Sequence, residues 1–412
     1  MELSIEHKRQ IRKFNLYGFL KNLKLFEPFL LYYIFISVDD YLHIGILIAI
    51  RELIIYVFEV PSGVLADKYG KKNQLILCFS FYILSFIAFF IGGDFYVFVI
   101  AFILYGFGEA FRSGTHKAMI MDYLDNENIV ESKSKIYGKT RSYSMIGSMI
   151  SSIVAIALIF ILPELRFLFL IAIIPYIIDI LLISSYPSYM NERLNTSFSI
   201  KEFGLHMVKS VKYGFHEKKV RKLLISSATF NGWFKTLKDY VQFIILLVPL
   251  TAFASLSLTD DENNRVYLGV IYAFIYLVAA ITSRNTYRLK KYYKGSVLLD
   301  FMWIPFGVTI LLIGLFTEQI VFVFILFAIL YIILNLRKPL MIEKIGDEIV
   351  NTERATMLSV ESQLTSLFII VFAPLLGYIS NVHGIEAMMI IVGVSITFVQ
   401  IIKLVIKLLR NW

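Results

Sequence analysis

Gly63-Val64-Leu65-Ala66-Asp67-Lys68-Tyr69-Gly70-Lys71-Lys72 lies between two apolar runs, residues 42–60 and 75–92. Each run approaches the roughly 20 residues that a helix needs to cross a bilayer. The stretch between them therefore reads as a tight turn joining two spanning helices. Gly63 and Gly70 permit close helix approach and backbone angles that other residues avoid. Asp67 offers an acceptor to a helix N-terminus or a cation, and Lys71 and Lys72 hold the turn on the cytoplasmic side.

The same logic extends along the chain. Of 412 residues, 58% are apolar and only 17% charged, a composition that excludes an ordinary soluble domain. Apolar segments fall at about 25–38, 42–64, 74–93, 95–115, 142–162, 165–186, 223–250, 266–283, 296–316, 319–336, 356–380 and 385–408, which predicts an all-α polytopic membrane protein with twelve transmembrane helices. With both termini cytoplasmic, 34 of the 40 Lys and Arg residues fall in inner segments and only Arg166 and Arg265 in outer loops. The net charge of +9 is thus an orientation signal, and no nucleic-acid partner is expected. Residues 1–24 read as a basic cytoplasmic tail without a cleavable signal. Cys78 is the only cysteine, which excludes an internal disulfide.

The longest polar stretch divides the chain into residues 1–190, a linker at 191–221, and residues 222–412, predicted as two six-helix halves joined by a cytoplasmic segment. Within the linker, Ser199 and Glu202 have capping-box spacing, and Ile200, Phe203, Met207, Val211 and Phe215 recur at helical intervals, predicting an amphipathic helix along the inner membrane face. A faint repeat relates the halves: Arg112 followed by Met119-Ile120-Met121-Asp122 is echoed by Arg337 followed by Met341-Ile342-Glu343. The fifth and eleventh segments both begin polar, through Ser142 to Ser152 and Ser359 to Ser366, and are expected to border a wet cavity.

Charges inside spans are the candidate site, because stranding one in hydrocarbon costs about 2.5–3.5 kcal/mol. Glu109 and Arg112 share a helix face and form the first candidate coupling pair; the alternative is a static ion pair. Asp179 and Glu361 are further protonatable candidates. Arg51 and Glu52 point about 100° apart around their helix and are expected to find different partners. Glu59 is read as a gate or packing contact. Lys235, Lys238 and Asp239 lie near mid-depth, with Lys235 and Asp239 spaced to neutralise each other. With Arg51, Glu52, Tyr105 and Trp233 they make up the candidate substrate cavity.

The pattern G-x-L-A-D-x-x-G-K-K-x-x-L, from Gly63 to Leu75, resembles the loop signature between the second and third spans of the major facilitator superfamily. Arg51-Glu52-Leu53 and Phe58-Glu59-Val60-Pro61-Ser62-Gly63 resemble its bacterial drug-exporter branch. Ala373-Pro374-Leu375-Leu376-Gly377 is similar to the bend-forming element of that superfamily, while Gly147 to Ser152 keeps the small residues of the antiporter element and lacks its proline. Gly106-Phe107-Gly108-Glu109-Ala110 resembles the fourth-span signature, with Phe102 where an Arg implicated in proton coupling is expected. The resemblance implies alternating access in a bacterial inner membrane, by a monomer whose Asp67 loop meets the eleventh span. It also places Tyr32, Tyr33, Phe107, Phe234 and Tyr240, beside Tyr105 and Trp233, on cavity-facing spans, where rings suit bulky amphiphiles if they do not simply pack helices.

Three readings follow: proton-coupled efflux of amphiphilic small molecules, proton-coupled import of a small polar nutrient, and a membrane receptor without transport. The spans hold few Asn and Gln, which weighs against a sugar. No phosphate loop is present, since Leu65 and Lys72 replace its first Gly and its Ser or Thr, and no nucleophile elbow or H-E-x-x-H motif occurs. No enzyme activity, cofactor or metal is expected.

Overall fold

The computed structural model describes residues 4–127, 129, 133–191, 216–246, 260–290, 295–348 and 354–409. The predicted linker helix lies outside them. Among the described residues there are fifteen α-helices and no strands. Nine helical stretches are long and apolar enough to span a membrane, and Glu27–Val38 and Arg265–Ala279 are shorter apolar ones. The remaining predicted segment, the seventh at about 223–250, is a more charged helix, Lys218–Leu246.

Packing divides the chain into two compact units, Met1–Asp39 with Ile50–Gly204, and Asp40–Ala49 with Leu205–Trp412. The first contains α1 (Ile5–Leu20), α2 (Leu30–Val38), most of α3 (Tyr41–Tyr69), α4 (Lys71–Ile91), α5 (Phe95–Arg112), α6 (Thr115–Asn126), α7 (Lys133–Ile159) and α8 (Phe167–Ser184). Its core is aromatic: Phe26 and Phe89 both stack on Phe169, with centroids 4.7 and 5.0 Å away. Large apolar residues such as Leu84, Ile100, Ile153 and Leu181 are exposed, as lipid-facing positions should be.

The N-terminal segment departs from expectation. Residues 4–24 are not a free tail: Ser4 caps α1 by accepting from the His7 amide, and Ile11, Phe14, Tyr17 and Leu20 bury one face where α1 packs along α7 and α8. Polar residues between these positions lowered the average hydropathy and hid the stripe. The first span is thus a broken helix, α1 followed by α2. At the break, the Asn22 amide donates to the Gly18 carbonyl at 2.7 Å, and Pro28, second residue of the 3-10 turn Glu27–Phe29, has no N–H to continue the ladder. Non-helical backbone at membrane depth is tolerated where protein surrounds it.

The second unit holds α9 (Lys218–Leu246), α10 (Asp260–Lys290), α11 (Gly295–Phe301), α12 (Trp303–Leu315), α13 (Ile320–Glu348), α14 (Arg354–His383) and α15 (Ile385–Leu409). It also holds the first turns of α3, residues 40–49. There glycines set the distance: a Cβ on Gly45 would lie 2.3 Å from the Ala373 carbonyl oxygen, and one on Gly377 2.3 Å from that of Tyr41. Asn381 finishes the contact, its Oδ1 accepting from the Tyr41 amide and its Nδ2 donating to Asp40, each at 2.9 Å.

Candidate functional site

The break between α1 and α2 places Lys24 against α5. Its ammonium lies 3.2 Å from Glu109 Oε1 and donates to the Tyr105 hydroxyl at 2.5 Å. From the other side, Arg112 Nη2 donates to Glu109 Oε2 at 2.5 Å, and Arg112 Nε donates to the Tyr82 hydroxyl at 3.0 Å. The predicted Glu109 and Arg112 pair is therefore part of a triad in which one carboxylate holds two cations. Lys24 also faces the rings of Tyr105 and Tyr82, at 5.0 and 5.7 Å from their centroids, and Tyr176 on α8 anchors the break by donating to the Lys21 carbonyl at 3.0 Å. The side chains of Lys24, Glu109 and Arg112 keep 15%, 20% and 29% of their surface exposed. They are thus packed but not fully enclosed.

Sequence reading missed Lys24, because the tail assignment put it outside the membrane; the apolar spacing of Ile11, Phe14 and Tyr17 was the available signal. Asp179 lies elsewhere in the same unit, fully buried, and neither carboxylate oxygen has a hydrogen-bond partner among the described residues. Nearby, His116 stacks on Tyr17 with centroids 3.5 Å apart and lies 3.1 Å from the Tyr186 hydroxyl.

Two expectations about pairing are corrected. Arg51 and Glu52 bond to each other, Nη2 to Oε1 at 3.2 Å, because the long guanidinium stem spans the angle that separates adjacent helix positions. Glu52 is 3% exposed. On α9, Asp239 pairs with Lys238, leaving Lys235 exposed; one turn of the flexible Lys238 stem outcompetes the predicted spacing. Glu59 accepts from the Ser113 hydroxyl at 2.6 Å. Trp233 packs on Phe368 and Phe372, both at 5.0 Å, and Phe234 and Tyr240 are buried among neighbouring helices.

In the second unit, Glu361 accepts from Ser227 at 2.9 Å and from Asn231 at 2.7 Å. Arg337 is 1% exposed; it donates to the Ser226 carbonyl and hydroxyl at 3.2 and 2.9 Å and lies 4.1 Å over the Phe230 ring. The two arginines of the sequence repeat thus have different roles, Arg112 on an acid and Arg337 on a serine and a ring.

The hairpin that opened the sequence is clipped into the first unit. Gly70 turns with φ +95°, and Asn191 Oδ1 accepts from the Lys72 and Asn73 amides at 3.1 and 3.3 Å, capping α4 from a distance. Lys71 pairs with Asp122 at 2.5 Å, and Lys72 donates to the Ser184 and Tyr186 carbonyls at 2.6 and 3.1 Å, the C-terminal end of α8, where a cation is favoured. Gly63 is exposed with no atom near its Cβ position; Asp67 sits in the last turns of α3.

Broken and polar-sided spans, ion pairs within the helices and a clipped basic hairpin together characterise a polytopic helical membrane protein. The sequence profile of the Major Facilitator Superfamily matches residues 23–411, and the chain belongs to that superfamily: it is a multi-pass membrane transporter and not an enzyme. A curated relative, described as an uncharacterized MFS-type transporter, YxaM of Bacillus subtilis strain 168, is 23% identical over 396 residues, covering 94% of this chain and 93% of that one. Among solved structures, the nucleoside transporter NupG in a mutant form superposes with a TM-score of 0.78 at 13% identity, covering 95% of this chain and 98% of that one. A POT family transporter in complex with 5-aminolevulinic acid gives 0.76 at 15% identity, covering 97% and 96%. These structures share the fold.

Proposed function

We propose that this chain moves an amphiphilic small molecule by alternating access, drawing on a proton gradient, with Glu109 as the coupling carboxylate. The observation that carries this reading is the triad: Glu109 holds Lys24 and Arg112 at once, on side chains that are not fully enclosed. A proton on Glu109 weakens its hold on both cations, so the protonation state of one side chain alters contacts on two helices. Arg51 and Glu52, and Glu361 with Ser227 and Asn231, are candidate contacts along the pathway. In this reading it works as a monomer in a bacterial inner membrane, with both termini inside.

Export is the direction supported by the likeness of residues 51–63 to drug exporters. Uptake is the second reading, favoured by the two cations that outnumber the one acid in the triad. The test is flux in proteoliposomes under an imposed pH gradient, screened over amphiphilic drugs and polar nutrients. Wild-type protein accumulates or expels its substrate with the gradient. Glu109→Gln keeps substrate exchange but loses gradient-driven accumulation by roughly tenfold or more, the effect of about 1.4 kcal/mol of lost coupling. Full gradient-driven accumulation by this variant contradicts the assignment.

A further inference from the structure

We infer that the transported molecule is an anion, bearing a carboxylate or a group of similar charge, and that it binds Lys24 and Arg112 together with a proton on Glu109. The inference deepens the reading of Glu109 as the coupling carboxylate and rests on it.

Charge comes first. Within the triad two cations, Lys24 and Arg112, face one acid, Glu109. Among the described residues, the titratable groups turned toward Glu109 are Lys21, Lys24, Cys78, Tyr82, Tyr105, Arg112 and Tyr176. None of these groups is a second acid, and Glu27 acts on Lys24 and Tyr105 from outside the triad. Asp179 is fully buried and presents no surface to a ligand. A cationic substrate would enter against like charge, whereas an anion meets complementary charge.

Exchange of partners comes second. Lys24 and Arg112 already hold a carboxylate, each oxygen taking one cation, and guanidinium and ammonium groups bind an external carboxylate with the same geometry. An entering anion displaces Glu109 from one or both cations. Glu109, left without them, takes one proton from water onto a carboxyl oxygen. Before the exchange the triad holds two positive charges and one negative; afterwards it holds two positive charges, the substrate's negative charge and a neutral Glu109. The net charge is unchanged, so the site accepts the pair without importing charge into a low-dielectric interior.

Linkage then fixes the sign of coupling. An anion that raises the proton affinity of Glu109 has its own affinity raised by that proton in the same ratio. Anion and proton therefore bind together and cross together, which under an inward proton gradient is the uptake reading and not export. A cation binding directly to Glu109 would compete with the proton and exchange against it.

The test uses the full chain in lipid nanodiscs and two probes of nearly equal shape, 1-naphthoate and 1-naphthylmethylammonium. The expected result is that naphthoate alone raises the thermal midpoint, and that about one proton is taken up per anion bound, read with a pH dye in weak buffer. Lys24→Met weakens naphthoate binding roughly tenfold or more, and Lys24→Arg restores most of it. Glu109→Gln binds naphthoate without proton uptake. Binding of the ammonium probe alone, release of protons on naphthoate binding, or no shift with either probe overturns the inference. The two readings fail separately. Proton uptake that persists in Glu109→Gln removes the coupling role of Glu109 and leaves the anion site standing. A bound cation whose proton release is lost in Glu109→Gln does the reverse.

Discussion

Glu127 shows how a single side chain at the inner edge responds to pH. It follows α6, accepts from the Tyr189 hydroxyl at 2.7 Å and lies 3.0 Å from His7 Nε2. The hydrogen bonds from Tyr189 and His7 hold its carboxyl below the usual carboxylate range. The contact therefore adds stability that is intact above the ordinary value of about 4.3 and is lost as pH falls through the depressed folded value. Amide protection in the last turn of α6, taken relative to the intrinsic exchange rate at each pH, is expected to fall on acidification below about pH 4 in the wild type, and to be low and less pH-dependent in Glu127→Gln. Unchanged protection across that range in both proteins would remove the latch. Residue identity matters equally at Arg337, whose guanidinium both donates to Ser226 and covers Phe230; a lysine has the charge but neither the fork nor the flat face.

At the scale of elements, close approach and capping do the positioning. Gly45 and Gly377 meet backbone carbonyls from opposite sides, so Gly377→Leu forces α14 away from the start of α3 and is expected to cost about 1–3 kcal/mol, read as a lowered thermal midpoint in detergent. Asn191→Ala removes the remote cap on α4 and is expected to cost about 1 kcal/mol by the same measurement. No change in either variant would mean that these contacts do not set the packing. Much of this level was legible. The apolar runs marked the helices, and the motif glycines marked the turn at Gly70. The broken first span was not, because α1 owes its membrane position to a narrow stripe ending at Tyr17 and Leu20 that averages out over a hydropathy window. Lys24 was lost with it. Glu109 and Arg112 were legible as i, i+3 neighbours, whereas the Arg51 and Glu52 pair was obscured by a rule that treats side chains as fixed directions although the arginine stem bends. Asn191 and Asp122 were silent, since their partners lie far away in sequence.

The whole molecule is a superfamily transporter in which a basic hairpin is tied to its own unit by Lys71, Lys72 and Asn191. We expect Asp67, on the same hairpin, to bias the conformational equilibrium of the two halves. Asp67→Asn should then abolish transport in proteoliposomes while leaving membrane insertion and the thermal midpoint intact, and normal flux would remove the gating role. The proposed transport cycle depends on the hairpin facing the cell interior, where the excess of positive residues is expected to place it. Asn73 is exposed on that hairpin, and Cys78 is the single native cysteine and is buried. The decisive measurement is labelling of Asn73→Cys, in a Cys78→Ser background, by a membrane-impermeant maleimide. The account predicts reaction in inside-out vesicles and none in intact cells; reaction in intact cells would contradict it.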